Sequence, residues 1–160
     1  MRYSNCKKII NQKNNIKLIW GCGKREYDKC KAELDKIDYP DDRVELNGYI
    51  DNMPKILPIA DIVICRAGAM SIAEMAYNSK CTILIPSPNV ADNHQLKNAQ
   101  ALADKNAAVL ITEDKIGDIV FVINNLLDNE ERRRELSFNI KGFANPESNK
   151  ITYKEIMKLI

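Results

Sequence analysis

Residues 60–76, ADIVICRAGAMSIAEMA, change from a strand-like to a helix-like pattern within a few positions. The apolar run Ile62–Cys65 predicts a buried strand, and the small and apolar residues from Met70 to Asn78 have helical spacing. Arg66 and Gly68 stand at the turn between the two. Ligands bind at such turns in α/β proteins, so this segment determines both the expected fold and the first candidate site.

The same alternation runs along the rest of the chain. Runs of branched residues predict five strands, at Ile16–Trp20, Arg43–Leu46, Asp61–Cys65, Cys81–Ile85 and Ala107–Ile111. Helical spacing predicts helices at Lys24–Lys36, Met53–Ile59, Met70–Asn78, Asn93–Lys105, Lys115–Leu127, Glu130–Lys141 and Ile151–Ile160. Parallel strands need long crossovers, and a helix is the usual one. The expected fold is therefore α/β, a Rossmann-like doubly wound parallel sheet, in a single domain over residues 1–160.

Composition restricts the classes of partner. The 160 residues include 24 Lys and Arg against 22 Asp and Glu, a net charge of +2, and the cluster Arg132–Arg134 is flanked by glutamates. This predicts a solvated helix face rather than a nucleic-acid surface. The five cysteines form no C-x-x-C pair, which indicates a reducing cytoplasm. Since no apolar run approaches the roughly 20 residues that span a bilayer, any membrane contact is expected to be peripheral.

The loop after the third predicted strand suits an anion. Free backbone N–H groups behind Gly68 and the positive end of a helix dipole favour a phosphate or diphosphate. Ser71 and Glu74 have two interpretations. Their S-x-x-E spacing matches a capping box, which the spacing alone favours; alternatively, Glu74 accepts the hydroxyls of a ribose. Arg66 is expected to be a packing or loop-orienting residue, because an arginine at such a turn is commonly a charge-paired part of the scaffold.

Two earlier loops carry weaker signals. WGCGKRE, residues 20–26, lacks the spacing of known phosphate loops, so a tight turn with unusual backbone angles at Gly21 and Gly23 is expected. Tyr49 and Ile50 follow the second strand. Exposed backbone groups there can pair with a flat heterocycle.

The loop after the fourth predicted strand, IPSPNVADNHQLKNA, leads into a helix. Asp92 and Gln95 have the spacing of a cap-like pair, while the amide of Gln95 also suits the hydroxyls of a neutral sugar. No Ser, Cys or carboxylate lies at a spacing from His94 that would mark it as a general base. No catalytic residue, metal site or cofactor is predicted from these loops.

Three segments together resemble the C-terminal half of the MurG family: residues 60–76, residues 83–111 (ILIPSPNVADNHQLKNAQALADKNAAVLI) and the closing ITYKEIMKLI. MurG proteins are bacterial N-acetylglucosaminyltransferases that convert lipid I to lipid II in peptidoglycan synthesis. The resemblance implies the C-terminal, UDP-N-acetylglucosamine-binding domain of a GT-B glycosyltransferase. It also implies roles in cell wall biogenesis, cell shape and cell division, in the cytoplasm at the inner face of the membrane.

The resemblance assigns roles to individual residues. It implies that Ile50 meets the uracil through its backbone, that Glu74 takes the ribose hydroxyls and that Gln95 meets the donor sugar. The residues implied to wrap the nucleotide are Ala69, Met70, Ser71, Ile72, Ala73 and Glu74, with His94 and Gly68 as further candidates. The ligand interpretation of Glu74 is therefore preferred over the capping box, although Ser71 can still cap the helix.

The chain also departs from the family pattern. No segment matches the N-terminal domain that binds the lipid acceptor, or the first strand of the C-terminal domain with its glycine- and serine-rich loop. The expectation is a donor-binding half-enzyme that is inactive alone and meets lipid I through an N-terminal domain or a partner chain. The alternatives are a non-catalytic interaction or regulatory module, one subunit of a split glycosyltransferase, and a sugar epimerase of the same architecture.

Overall fold

The computed structural model describes residues 8–9, 16–36 and 41–158. The chain forms two compact units, the first from Met1–Ile56 and Asp114–Asp128 and the second from Leu57–Glu113 and Asn129–Ile160. The described strands and α-helices are, in chain order, β1 (Leu18–Gly21), α1 (Tyr27–Leu34), β2 (Val44–Asn47), α2 (Met53–Ile59), β3 (Val63–Cys65), α3 (Ala69–Tyr77), β4 (Thr82–Leu84), α4 (His94–Ala103), β5 (Val109–Leu110), α5 (Ile119–Asp128), α6 (Glu130–Lys141) and α7 (Ser148–Met157).

The first unit contains a parallel pair of strands. β1 pairs with β2, with Leu18 opposite Val44 and Gly21 opposite Asn47. The intervening α1 packs its buried Leu34 against both strands. The side chains around Leu34 are all apolar: Leu18, Trp20, Val44 and Leu46. Full burial of a leucine side chain contributes about 1.5–3 kcal/mol, so Leu34 and the partly buried residues around it stabilise the β1–α1–β2 crossover.

The second unit contains a three-stranded parallel sheet of order β3-β4-β5, with α3 and α4 as its crossovers. Every residue of the central strand β4 is buried, and the hydroxyl of its one polar residue, Thr82, donates to the Lys80 carbonyl at 2.8 Å. α3 packs against α6. The apolar residues that α3, α4 and α6 bury are Met75, Ala76, Ala99, Leu102, Leu136 and Ile140.

The predicted order of strands and helices is confirmed, and so are the bounds of α2 and α6. The described strands form two parallel ladders, where the pattern predicts one sheet. The predicted helix at Lys115 begins only at Ile119, since residues 113–118, which include Gly117, form a 3-10 helix. The resemblance implies that the first strand of the family's C-terminal domain is missing from this chain. That prediction concerns the start of the chain, where residues 1–7 and 10–15 lie outside the described part.

Surface features agree with the composition. Arg134 pairs with Glu130 at 2.6 Å and Arg132 with Glu135 on α6, as expected of a solvated helix face. Within residues 8–9, 16–36 and 41–158, no helix has both the length and the apolar character needed to cross a membrane.

Candidate functional site

The N-terminus of α3 lies just beyond the carboxyl end of β3. Gly68 caps the helix with an extended backbone (φ −72°, ψ 147°) and without a side-chain hydrogen bond. The Ile72 N–H donates to the carbonyl of the cap residue Gly68 at 3.0 Å, which is the first bond of the helix. The N–H groups of Ala69, Met70 and Ser71 precede that bond, so they are the groups that a helix terminus offers to an anion.

The capping box that spacing alone favours at Ser71 and Glu74 is not formed. α3 begins at Ala69, so Ser71 lies in the first turn and Glu74 in the middle of the helix. The extended backbone of Gly68 provides the entry into the helix, and no side-chain cap is needed. The Glu74 side chain is exposed, and it lies near enough to Cys65 to reinforce the effect of burial, which raises the pKa of that thiol to about 11. The exposed carboxylate is accessible to solvent and to a ligand.

The backbone angles at position 68 do not require glycine, because any residue can adopt them. A Cβ atom placed on Gly68 would lie 4.0 Å from Ser71 Oγ, at the edge of ordinary contact. The glycine therefore leaves open space in front of the first turn of α3.

Arg66 connects the loops that follow three neighbouring strands. Its Nη1 donates to the carbonyls of Ile85 and Pro86, both at 3.3 Å, and to Glu113 Oε1 at 2.6 Å. Ile85 and Pro86 follow β4, and Glu113 follows β5. Of the packing and loop-orienting roles expected of Arg66, these bonds support loop orientation.

Gln95 lies in the first turn of α4, one residue after the exposed His94. Its Oε1 accepts the Ser87 N–H at 2.9 Å. The predicted cap-like pair of Asp92 and Gln95 is therefore wrong. Asp92 and Asn93 instead adopt left-handed backbone angles (φ 52° and 50°), and no side chain caps α4. With its oxygen bonded to the loop, Gln95 has its Nε2 group to offer to an acceptor such as a sugar hydroxyl.

Asn98 is a residue that the sequence analysis missed. It lies one turn after Gln95 on α4, half-buried, and its Nδ2 donates to the carbonyl of Ala67 at 3.2 Å. The sequence feature that could have indicated Asn98 is its i, i+3 spacing from Gln95, which places two amide side chains on one side of the helix.

Ile50 belongs to the first unit, where it follows the end of β2. A Cβ on Gly21 would lie 3.2 Å from Ile50 Cδ1, so Gly21 permits close packing of Ile50. The predicted unusual angle is confirmed at Gly23 (φ 91°), whereas Gly21 continues β1 as a strand residue. The other candidates, from Gly68 to Glu74 with His94 and Gln95, all belong to the second unit.

The described part of the chain contains no group of three His, Cys, Asp or Glu side chains that could hold a metal ion. What the second unit brings together is a helix N-terminus, an exposed carboxylate and an amide, on loops held by Arg66 and Asn98. That arrangement suits a ligand with an anionic centre and several hydroxyl groups.

Residues 3–150 match the family model of the glycosyltransferase family 28 C-terminal domain. The chain belongs to this family. It is 40% identical over 147 residues to the UDP-N-acetylglucosamine--N-acetylmuramyl-(pentapeptide) pyrophosphoryl-undecaprenol N-acetylglucosamine transferase of Flavobacterium psychrophilum, covering 91% of this chain and 39% of that enzyme. It is 38% identical over 151 residues to the enzyme of the same name from Lactobacillus delbrueckii, covering 93% of this chain and 40% of the relative. The family 28 chain thus spans about two fifths of the length of these relatives.

The solved structure of Acinetobacter baumannii MurG matches 98% of this chain and 45% of its own, with a TM-score of 0.80 at 24% identity. A glycotransferase of kitacinnamycin matches 87% of the chain with a TM-score of 0.64 at 17% identity. At these identities the likeness shows the fold alone. It confirms that this family 28 chain has the expected α/β fold of a GT-B glycosyltransferase domain.

Proposed function

We propose that this chain is the donor-binding part of an N-acetylglucosaminyltransferase of peptidoglycan synthesis. It binds UDP-N-acetylglucosamine and presents the sugar to lipid I, the N-acetylmuramyl-pentapeptide pyrophosphoryl-undecaprenol acceptor. The relatives reported above carry this activity in their names. The observation that carries the proposal is the open N-terminus of α3, which lies at the end of β3 with an exposed carboxylate behind it.

Each part of the donor has a proposed partner. The N–H groups of Ala69, Met70 and Ser71 bind the diphosphate, and Ile72 and Ala73 complete the segment that wraps the nucleotide. Glu74 accepts the ribose hydroxyls, and Ile50 meets the uracil through its backbone. The loss of the capping-box alternative supports the role of Glu74, since its carboxylate has no capping duty within α3.

Three further candidates complete the site. Gln95 is proposed to donate its Nε2 to the N-acetylglucosamine, because its Oε1 is engaged by the Ser87 N–H. Gly68 leaves room for the ligand at the first turn of α3. His94 is exposed at the first position of α4, where it can contact the sugar but is assigned no proton transfer.

The chemistry follows from the helix terminus. An acceptor hydroxyl attacks the anomeric carbon while UDP departs, and negative charge builds on the diphosphate. Preorganised N–H groups at the end of a helix stabilise such charge. No covalent bond to this chain is required, because the acceptor itself displaces the nucleotide.

The acceptor site is proposed to lie outside this chain. Residues 1–160 then form a single UDP-sugar-binding domain, whose acceptor-binding N-terminal domain is either part of the same polypeptide or a separate partner chain. The relatives' greater length supports this division. Since the acceptor is a lipid, the proposed place of action is the cytoplasmic face of the membrane, reached through the acceptor-binding part.

Substitution of Ala69 by proline tests the helix terminus. Proline fits the first position of a helix, and Gly68 already has the extended backbone that a residue before proline prefers. Ala69→Pro should keep α3 and delete one N–H from the diphosphate site. Hydrogen bonds to charged groups are worth roughly 1.5–3 kcal/mol, so we expect UDP affinity by calorimetry to fall at least about tenfold.

Glu130→Pro is the matched control, because Glu130 is the first residue of α6 and follows a non-helical Asn129 (φ −120°, ψ 88°). It should leave UDP affinity unchanged. Both variants should melt close to the wild-type temperature. Equal UDP binding by Ala69→Pro and the wild type, or no UDP binding by the wild type, would contradict the proposed function.

A further inference from the structure

The backbone next to the cap of α3 is held by a side chain from α4. Asn98 Nδ2 donates to the carbonyl oxygen of Ala67 at 3.2 Å, and Ala67 is fully buried. Ala67 immediately precedes Gly68, the residue from which α3 starts. Since a buried carbonyl without a partner is costly, this bond restrains where the first turn of α3 lies relative to α4.

The same side of α4 holds a second loop. One turn before Asn98, Gln95 Oε1 accepts the Ser87 N–H at 2.9 Å. The loop after β3 and the loop after β4 are thus each tied to α4 by one amide side chain. Arg66 joins the same two loops through the carbonyls of Ile85 and Pro86.

We propose that Asn98 is a positioning residue that sets the distance between the N–H groups of α3 and the Nε2 of Gln95. The inference rests on the proposed function, in which those groups bind the diphosphate and the sugar. A ligand that touches both groups depends on their spacing. UDP, which ends at the diphosphate, depends on it less than UDP-N-acetylglucosamine does.

The experiment compares the dissociation constants of the two ligands by calorimetry for the wild type, Asn98→Ala and Asn98→Asp. Aspartate has nearly the shape of asparagine but, when ionised, cannot donate to the Ala67 carbonyl. For both variants we expect the affinity for UDP-N-acetylglucosamine to fall about fivefold further than that for UDP, the size expected from one lost hydrogen bond. Melting temperatures are recorded in parallel.

Gln100→Ala is the matched control, since Gln100 is an exposed amide on the same helix that bonds Asp104. It should leave both affinities and their ratio unchanged. An unchanged ratio in both Asn98 variants would overturn the positioning role, as would a parallel loss of both affinities with a lowered melting temperature. If the wild type binds neither ligand, the proposed function itself fails; if it binds both and only the ratio is insensitive, the role of Asn98 alone fails.

Discussion

At the scale of the residue, Glu74 shows that an S-x-x-E spacing fits two different positions in a helix. Its spacing from Ser71 is that of a capping box, but α3 begins at Ala69, so both residues lie within the helix. The backbone carbonyl of Glu74 accepts the Asn78 N–H and side chain, while its own side chain is exposed. The carboxylate therefore has no structural duty in capping α3, and a change there tests ligand binding directly.

Glu74→Gln should weaken UDP binding without affecting stability. Glutamine has a similar helix propensity, so the melting temperature should hardly change. The substitution replaces an acceptor-only carboxylate by a group with one acceptor oxygen, and charged hydrogen bonds are worth roughly 1.5–3 kcal/mol. Calorimetry should show UDP affinity reduced at least about tenfold.

Two controls accompany that measurement. Glu131→Gln removes an exposed carboxylate from the first turn of α6 and should leave UDP affinity unchanged. The wild type should bind 2′-deoxy-UDP poorly, and Glu74→Gln should lose little more affinity for it. Equal binding of UDP by the wild type and Glu74→Gln would show that Glu74 is not a ribose ligand.

At the scale of the element, the strands of the second unit keep two thiols in their neutral form. Cys65 ends β3, and Cys81 directly precedes β4. Burial raises the pKa of each thiol from 9.0 to about 11, although Arg133 and Arg132 slightly oppose the effect at Cys81. The folded chain therefore holds protons that the unfolded chain releases above about pH 9.

This difference predicts an alkaline loss of stability. Between pH 9 and 11 the folded state binds more protons than the unfolded state, so the free energy of unfolding falls as pH rises through that range. Each thiol contributes a slope of at most about 1.4 kcal/mol per pH unit. Urea unfolding at pH 8, 9, 10 and 11 should show a shallower decline for Cys65→Ala and for Cys81→Ala than for the wild type. Parallel declines in all three proteins would contradict the raised pKa values of the two thiols.

At the scale of the whole molecule, the chain spans about two fifths of the length of the relatives to which it is similar. Its described loops offer the helix N-terminus, carboxylate and amide that the proposed donor site requires. The proposed transfer also needs an acceptor site and a base that receives the proton of the attacking hydroxyl. Neither role is assigned to a residue of this chain.

The isolated chain should therefore transfer no sugar. Incubated with lipid I and radiolabelled UDP-N-acetylglucosamine, it should give no labelled lipid II. Product is expected when the N-terminal part of a relative, such as the Flavobacterium psychrophilum enzyme, is added. As a control, the Ala69→Pro chain is combined with the same N-terminal part, which shows whether product formation depends on donor binding by this chain. Turnover by the chain alone would contradict this division of the active site.

The sequence by itself determined the order of strands and helices and the segments that carry the candidate site. Apolar periodicity is local, so it predicted the bounds of α2 and α6 and the turn at Gly68. The family match over residues 3–150 was likewise predictable from the two long motifs. These features depend on neighbouring residues or on contiguous segments, which a sequence displays directly.

Only the tertiary structure decided which groups at the site are engaged and which are accessible. Gln95 bonds Ser87 rather than pairing with Asp92, Arg66 reaches Glu113, and Asn98 reaches Ala67, 31 residues away. The start of α3 belongs to the same class, because an S-x-x-E spacing fits equally at a cap or within a helix. Where α3 starts depends on the direction in which the chain leaves β3. That direction is fixed by the packing of strands and helices that are separate in the sequence.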